Sequence, residues 1–195
     1  MGSRILRRPS LMSTAPQPVL TAEEFGRRPD PGYPEELVRG RIVSMSPPNR
    51  RHGQICSKVD RILGNFADEH ELGHVLCNDS GVITEREPDT VRGPDVVFYS
   101  YARLPKGPLP SDYGPEVPEL IIEVRSPGNR WPGILVKIAE YLAAGVQYVV
   151  VLDPDPQTAL VSSAEQPPRI LGPDEELKFP DLLGDFQVVV RRFFE

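Results

Sequence analysis

Two carboxylates occupy positions where an apolar sequence should not tolerate them. Glu123 lies in the run Leu120-Ile121-Ile122-Glu123-Val124, and Asp95 follows Pro94 at the head of Asp95-Val96-Val97-Phe98-Tyr99. An ionised carboxylate among branched apolar side chains is costly to bury unless a cation compensates it. Two of them on successive strand-like runs suggest one shared cation. Two carboxylates and a backbone carbonyl make a hard oxygen set of the kind that suits Mg²⁺ or Mn²⁺. Such an ion lowers the pKa of bound water and neutralises charge on a phosphate under in-line attack, so phosphodiester hydrolysis is the chemistry this pair points to.

A nearby side-chain cation would complete such a site by stabilising the pentavalent transition state or holding the attacking water. The chain has four lysines, Lys58, Lys106, Lys137 and Lys178. Lys137 falls in the helix expected directly after the Glu123 strand, so it is the one most easily folded back onto the carboxylates. Arg125 is nearer in sequence, but a guanidinium is a poor proton carrier.

The elements that must position these residues are legible as patterns. Thr21-Ala22-Glu23-Glu24 has the form of a capping box and starts a short helix. Glu36–Val38 and Arg41–Met45 read as a hairpin turning at Arg39-Gly40. Ile55, Val59, Ile62, Leu63 and Phe66 recur at helical spacing between Asn49 and His70, with Gly73 expected as the C-terminal cap. Short strands follow at Val75–Cys77 and Val82–Thr84. The Pro- and Gly-rich stretch 103–118 is expected to be a loop and flexible flap. Glu119–Val124 reads as a central strand, Asn129 as the cap of a helix carrying Ile134 to Leu142 that ends at Gly145, and Gln147–Leu152 as another buried strand. The order fits one mixed sheet flanked by helices, an α/β or α+β layered domain. Residues 1–19 read as a disordered lead-in and residues 20–195 as a single domain.

The 39% hydrophobic and 26% charged content is that of an ordinary globular protein. No run is apolar enough to span a bilayer, so no membrane role is expected. Cys56 and Cys77 form no metal-ligand spacing in sequence and fit buried free thiols in a reducing cytoplasm. The net charge of −6 disfavours indiscriminate nucleic-acid binding, but it is unevenly spread. Arg39, Arg41, Arg50, Arg51, Lys58 and Arg61 face only Asp60 in their segment, a stripe that could follow a phosphate backbone or simply be a solvated face.

Taken together, Glu36-Leu37-Val38-Arg39-Gly40, Ser46-Pro47-Pro48 with His52, Pro94-Asp95-Val96, Glu123-Val124-Arg125-Ser126-Pro127, Lys137 to Val146 and Val151-Leu152-Asp153-Pro154 resemble the Uma-two family of restriction-type endonucleases, within the PD-(D/E)XK nuclease superfamily. The resemblance runs from about Thr21 to the C-terminus. It implies a restriction-endonuclease-like core and metal-dependent DNA endonuclease activity leaving a 5′-phosphate. It makes Asp95 and Glu123 the metal carboxylates, with the Val124 carbonyl and Glu36 as further contributors. Lys137 stands in for the superfamily lysine, whose usual place is held by Arg125. His52 matches a recurring histidine and is a candidate substrate contact, as are Arg50 and Arg51 of the basic segment and Arg125. A homodimer is a natural expectation, because cutting both strands of a duplex needs two sites or two encounters. Arg125 in the lysine position and the acidic net charge also motivate an alternative, a catalytically idle nuclease fold that binds DNA or protein. A nuclease acting on RNA is a third reading.

Overall fold

The computed structural model describes residues 19–128 and 130–195. The expected lead-in therefore lies, but for Val19, outside the described residues, as does Asn129. The chain opens with helix α1 (Ala22–Gly26), where the Thr21 hydroxyl accepts from the Glu24 amide and the Glu24 carboxylate from the Thr21 amide, as the capping box requires. Strands β1 (Glu35–Val38) and β2 (Arg41–Ser44) form the hairpin, turned by Arg39 and Gly40 with φ of 49° and 72°. Helix α2 (Arg50–Glu69) follows, capped by the Asn49 side chain on the His52 amide.

Then come β3 (Gly73–Cys77), β4 (Val82–Glu85), β5 (Thr90–Arg92), β6 (Val96–Ser100) and β7 (Leu120–Val124). Helix α3 (Trp131–Ala143) leads into β8 (Tyr148–Asp153), with β9 (Thr158–Ser163), β10 (Arg169–Leu171) and β11 (Glu176–Lys178) beyond. The chain ends through α4 (Pro180–Leu183), β12 (Gln187–Val189) and a 3₁₀ turn over Val190–Phe193.

A mixed six-stranded sheet, ordered β10-β9-β8-β7-β6-β3, forms the centre, and only its β7–β8 pair is parallel. The α3 crossover links these two strands, as parallel neighbours require. Side chains alternate along β7. Leu120, Ile122 and Val124 enter the core under α2, with Ile55, Val59 and Leu63. Ile121 enters the core under α3, with Ile134, Ile138 and Tyr141. Glu123 therefore faces α3, because residues two apart share a face.

Alongside the mixed sheet stand a four-stranded antiparallel sheet, ordered β2-β1-β5-β4, and a β11–β12 ribbon. The single sheet expected from the element order is thus one of three, because β5, too short at three residues to show a pattern, pairs with β1 and β4. Two other expectations change. Gly73 does not cap α2. Glu71 takes the left-handed turn instead, and Gly73 begins β3, where an added Cβ would fall 2.0 Å from the Tyr99 carbonyl. The stretch 103–118 is a loop, but it is tied down: Tyr113 stacks on Phe25 with ring centroids 6.1 Å apart, and Arg103 donates to the Val117 carbonyl. It contributes nothing to the cleft described below.

The position of α2 rests on its buried stripe, in which Ile55, Val59 and Ala67 are fully enclosed and Leu63 nearly so. Leu63→Ala should cost about 2–5 kcal/mol in denaturant unfolding, as large-to-small changes in closed cores do. A loss below about 1 kcal/mol would mean that α2 is not packed as described.

Candidate active site

The β6–β7 ladder ends at the pair Val96–Ile122, and the register carried one step further sets Asp95 opposite Glu123. Beyond that last pair the Asp95 side chain replaces the backbone ladder: its Oδ2 accepts the Val124 amide at 2.7 Å. A buried amide must find an acceptor, and here a carboxylate supplies it. The Nε2 of His52, in the first turn of α2, lies 3.2 Å from the same oxygen. Burial would favour a neutral His52, but the hydrogen bond and charge of Asp95, with help from Glu123 and the Val124 carbonyl, raise its pKa.

Glu123 is held from the other side. The Tyr141 hydroxyl donates to its Oε1 at 2.8 Å. Lys137, one helical turn before Tyr141 on α3, brings Nζ to 3.9 Å from that oxygen and donates to Glu36 Oε1 at 2.8 Å. Burial lifts the Glu123 carboxyl to about 7, with Asp95 adding to the rise and Lys137 opposing it. Lys137 moves the opposite way from a general base. Burial works against its charge, yet Glu123 and Glu36 outweigh it and raise its pKa, so its ammonium is firmly protonated.

Glu36 is the joint between this group and the four-stranded sheet. Its Oε2 accepts Arg92 Nη1 at 2.8 Å, and Arg92 turns its remaining donors onto both oxygens of Glu140 at 2.9 and 2.6 Å. The Thr84 hydroxyl also donates to Glu140. Burial opposes ionisation of Glu36 and Glu140, but Lys137 and Arg92 for the first, and Arg92 and Thr84 for the second, hold both pKa values below the ordinary range.

These groups meet at a cleft of about 560 Å³. Glu36, His52, Asp95, Glu123, Val124 and Lys137 line it, together with Ser46 to Asn49 and Ser126 to Gly128. Arg50 and Arg51 are exposed on the α2 turn just beyond Asn49. Asp95, Glu123 and the Val124 carbonyl are all oxygen donors, a set that fits a hard divalent cation, and the raised Glu123 pKa marks a carboxylate short of positive charge.

Of the residues singled out from sequence, Glu36, His52, Asp95, Glu123, Val124 and Lys137 come together. Arg125 does not line this cleft. Its Nη1 sits 3.0 Å from both oxygens of Asp153, and its guanidinium lies over the Trp131 ring. Lys137 bonds Glu36, and Glu123 meets Tyr141 and Lys137. The cysteines also depart from expectation. Cys77 is exposed, while Cys56 is half-buried one turn below His52, its Sγ 3.4 Å from His52 Nδ1. Asp95, just before β6, is the third group beside them, and sequence spacing concealed this because it lies far along the chain.

Sequence reading missed Tyr141, Arg92 and Glu140. The signal for Tyr141 was available, since positions 137 and 141 are i and i+4 on one helix face. Arg92 had none.

The family model described as "Putative restriction endonuclease", Uma2, matches residues 22–191. The chain belongs to the Uma2 family. Among solved structures, one described as a "putative nuclease belonging to DUF820" from Anabaena variabilis ATCC 29413 superposes on this Uma2 chain with a TM-score of 0.78 at 21% identity, covering 90% of this chain and 97% of the other. Comparison with curated proteins gave no match. The Uma2 core is thus a restriction-endonuclease-like α+β fold, and the family supports a nuclease.

Arg92→Met would leave two buried carboxylates facing one another without their shared cation. Unfolding at pH 7 should show a loss of about 3–5 kcal/mol. In the intact protein the lowered Glu36 and Glu140 stabilise the fold above the ordinary value of 4.5, and that contribution fades as pH falls through their lowered values. In the variant Glu140, left with Thr84, and Glu36, left with Lys137, take up protons at higher pH, which removes much of their penalty. The gap between the two proteins should therefore narrow toward pH ~4. A gap independent of pH would contradict the network.

Proposed function

We propose that this Uma2 protein is a divalent-metal-dependent DNA endonuclease. The observation that supports it most directly is the convergence of Asp95, Glu123 and a protonated Lys137 on one cleft from three separate elements. Asp95, Glu123 and the Val124 carbonyl would hold Mg²⁺ or Mn²⁺, which when bound supplies an activated water and charge neutralisation at the scissile phosphate. Lys137 contributes a fixed positive charge beside Glu123, placed to stabilise negative charge that grows on the phosphate oxygens. It acts as an electrostatic group and not as a base, because Glu36 and Glu123 keep it protonated. Glu36 orients its Nζ, Tyr141 orients Glu123, and His52 with the Val124 amide orients Asp95. Arg50 and Arg51, exposed just beyond Asn49, would contact the phosphate backbone of bound DNA. In-line attack on the phosphorus with departure of the 3′ oxygen leaves the phosphate on the 5′ end.

Incubation with supercoiled plasmid and Mg²⁺ or Mn²⁺ should convert it to nicked and linear forms. Asp95→Ala and Glu123→Ala should abolish this, and Lys137→Met should slow it by about 10²–10³, as loss of one preorganised electrostatic group does. Cleavage that survives both carboxylate substitutions would falsify the site.

Metal binding should also carry the mark of Glu123. A proton and the ion compete for the same oxygens, and in the metal-free protein the proton leaves near pH 7. Calorimetric Mn²⁺ affinity should therefore level off above pH 7 and fall by up to about tenfold per unit below it, with proton release on binding. Glu123→Gln should flatten that dependence, leaving only what protonation of His52 beside Asp95 contributes. Equal affinity across the range would argue that Glu123 is no ligand.

A further inference from the structure

The oxygen site has a second donor set pressed against its edge. His52 and Cys56 lie four residues apart on α2, so their side chains share one face of the helix. Ligand atoms of His52, Cys56 and Asp95 all lie within 4.8 Å of one another. The separation of 3.4 Å between Cys56 Sγ and His52 Nδ1 is already close to the edge of a zinc tetrahedron. That edge is roughly 3.5 Å for a Zn–S bond of about 2.3 Å and a Zn–N bond of about 2.0 Å.

We propose that His52, Cys56 and Asp95 form a site for a thiophilic divalent cation such as Zn²⁺, separate in chemistry from the oxygen site and sharing Asp95 with it. Sulfur and imidazole select borderline and soft ions over Mg²⁺, whereas Glu123 and the Val124 carbonyl favour hard ones. Three protein ligands leave a fourth position for water, the arrangement of an open rather than a structural site. Entry is through the cleft, which His52 and Asp95 both line. On binding, the Cys56 S–H bond breaks, a sulfur–metal bond forms and the proton passes to solvent. His52 binds as the neutral ring through one nitrogen; Nδ1 lies beside Cys56 and Nε2 beside Asp95, so a turn of the ring or of the Asp95 carboxylate brings all three residues onto one ion. No electron changes hands.

Asp95 cannot serve both ions fully, and a dication beside it repels a second. Occupancy of the soft site should therefore weaken Mg²⁺ or Mn²⁺ at the oxygen site. The soft site itself stands without the nuclease reading, and only its consequence for cleavage rests on that reading.

Cobalt reports such a site directly, because a Co²⁺–thiolate bond adds a charge-transfer band in the near ultraviolet. Titration of the metal-free full-length protein with Co²⁺ should raise that band and saturate at one equivalent, and Zn²⁺ should displace it. Cys77→Ser should behave as the parent. Cys56→Ser and Cys56→Ala, each checked by thermal melting to be folded, should lose the band. His52→Ala should weaken Co²⁺ by at least the roughly tenfold expected when even an outer-shell partner is lost. Absence of the band in the parent, its persistence in the folded Cys56 variants, its loss in Cys77→Ser, or unchanged affinity in His52→Ala would each overturn the proposal. The spectrum makes no reference to cleavage, so failure of nuclease activity and failure of this site are told apart.

Discussion

The Glu36 carboxylate, divided between Lys137 and Arg92, is the interaction on which the rest of the site depends. It joins β1 of the smaller sheet to α3 of the larger one and sets the lysine above Glu123. Removing charges from water is expensive, and the expense is met here by alternation: Glu123, Lys137, Glu36, Arg92 and Glu140 follow one another with opposite sign. One end of the chain is closed by the bidentate Arg92–Glu140 pair. At the other end Glu123 and Asp95 stand together with less positive charge than they need. Burial raises Glu123 and the neighbouring Asp95 adds to the rise, an excess of buried negative charge that a divalent ion would correct.

The geometry follows from how β7 is used. Its even positions fill the core under α2 and Ile121 fills the core under α3, so the strand is anchored on both faces before Glu123 is placed. The parallel pairing with β8 obliges the chain to cross over through α3. That crossover returns Lys137 and Tyr141 to the strand they left. A lysine two residues after the glutamate would have pointed along the same face of β7; Arg125 there is instead engaged by Asp153 and Trp131. The positive charge is delivered by the helix.

Much of this was legible in the sequence, for identifiable reasons. The capping box at Thr21, the Arg39-Gly40 hairpin, the apolar stripe of α2 and the unbroken run of β7 each carry a local signal, and each appears at its place. Glu123 and Asp95 stood out because a charge in an apolar strand is conspicuous. What stayed hidden depends on contacts distant in the chain. Arg92 sits in a three-residue strand without a pattern, and its partners lie 56 and 48 residues away. Cys56 looked like a filler residue of α2 until Asp95, from another element, came beside it. Gly73 looked like a helix cap because the close approach of the Tyr99 carbonyl, which excludes a side chain there, belongs to β6.

The most direct measurement is the anomalous scattering of manganese in crystals soaked with Mn²⁺. A single peak bounded by Asp95, Glu123 and the Val124 carbonyl, at metal–oxygen distances of about 2.1 Å and with Lys137 beside Glu123, is the expected result. Manganese absent from that position in crystals where both carboxylates are ordered, or bound without Glu123, would contradict the assignment of these two costly carboxylates to a shared cation.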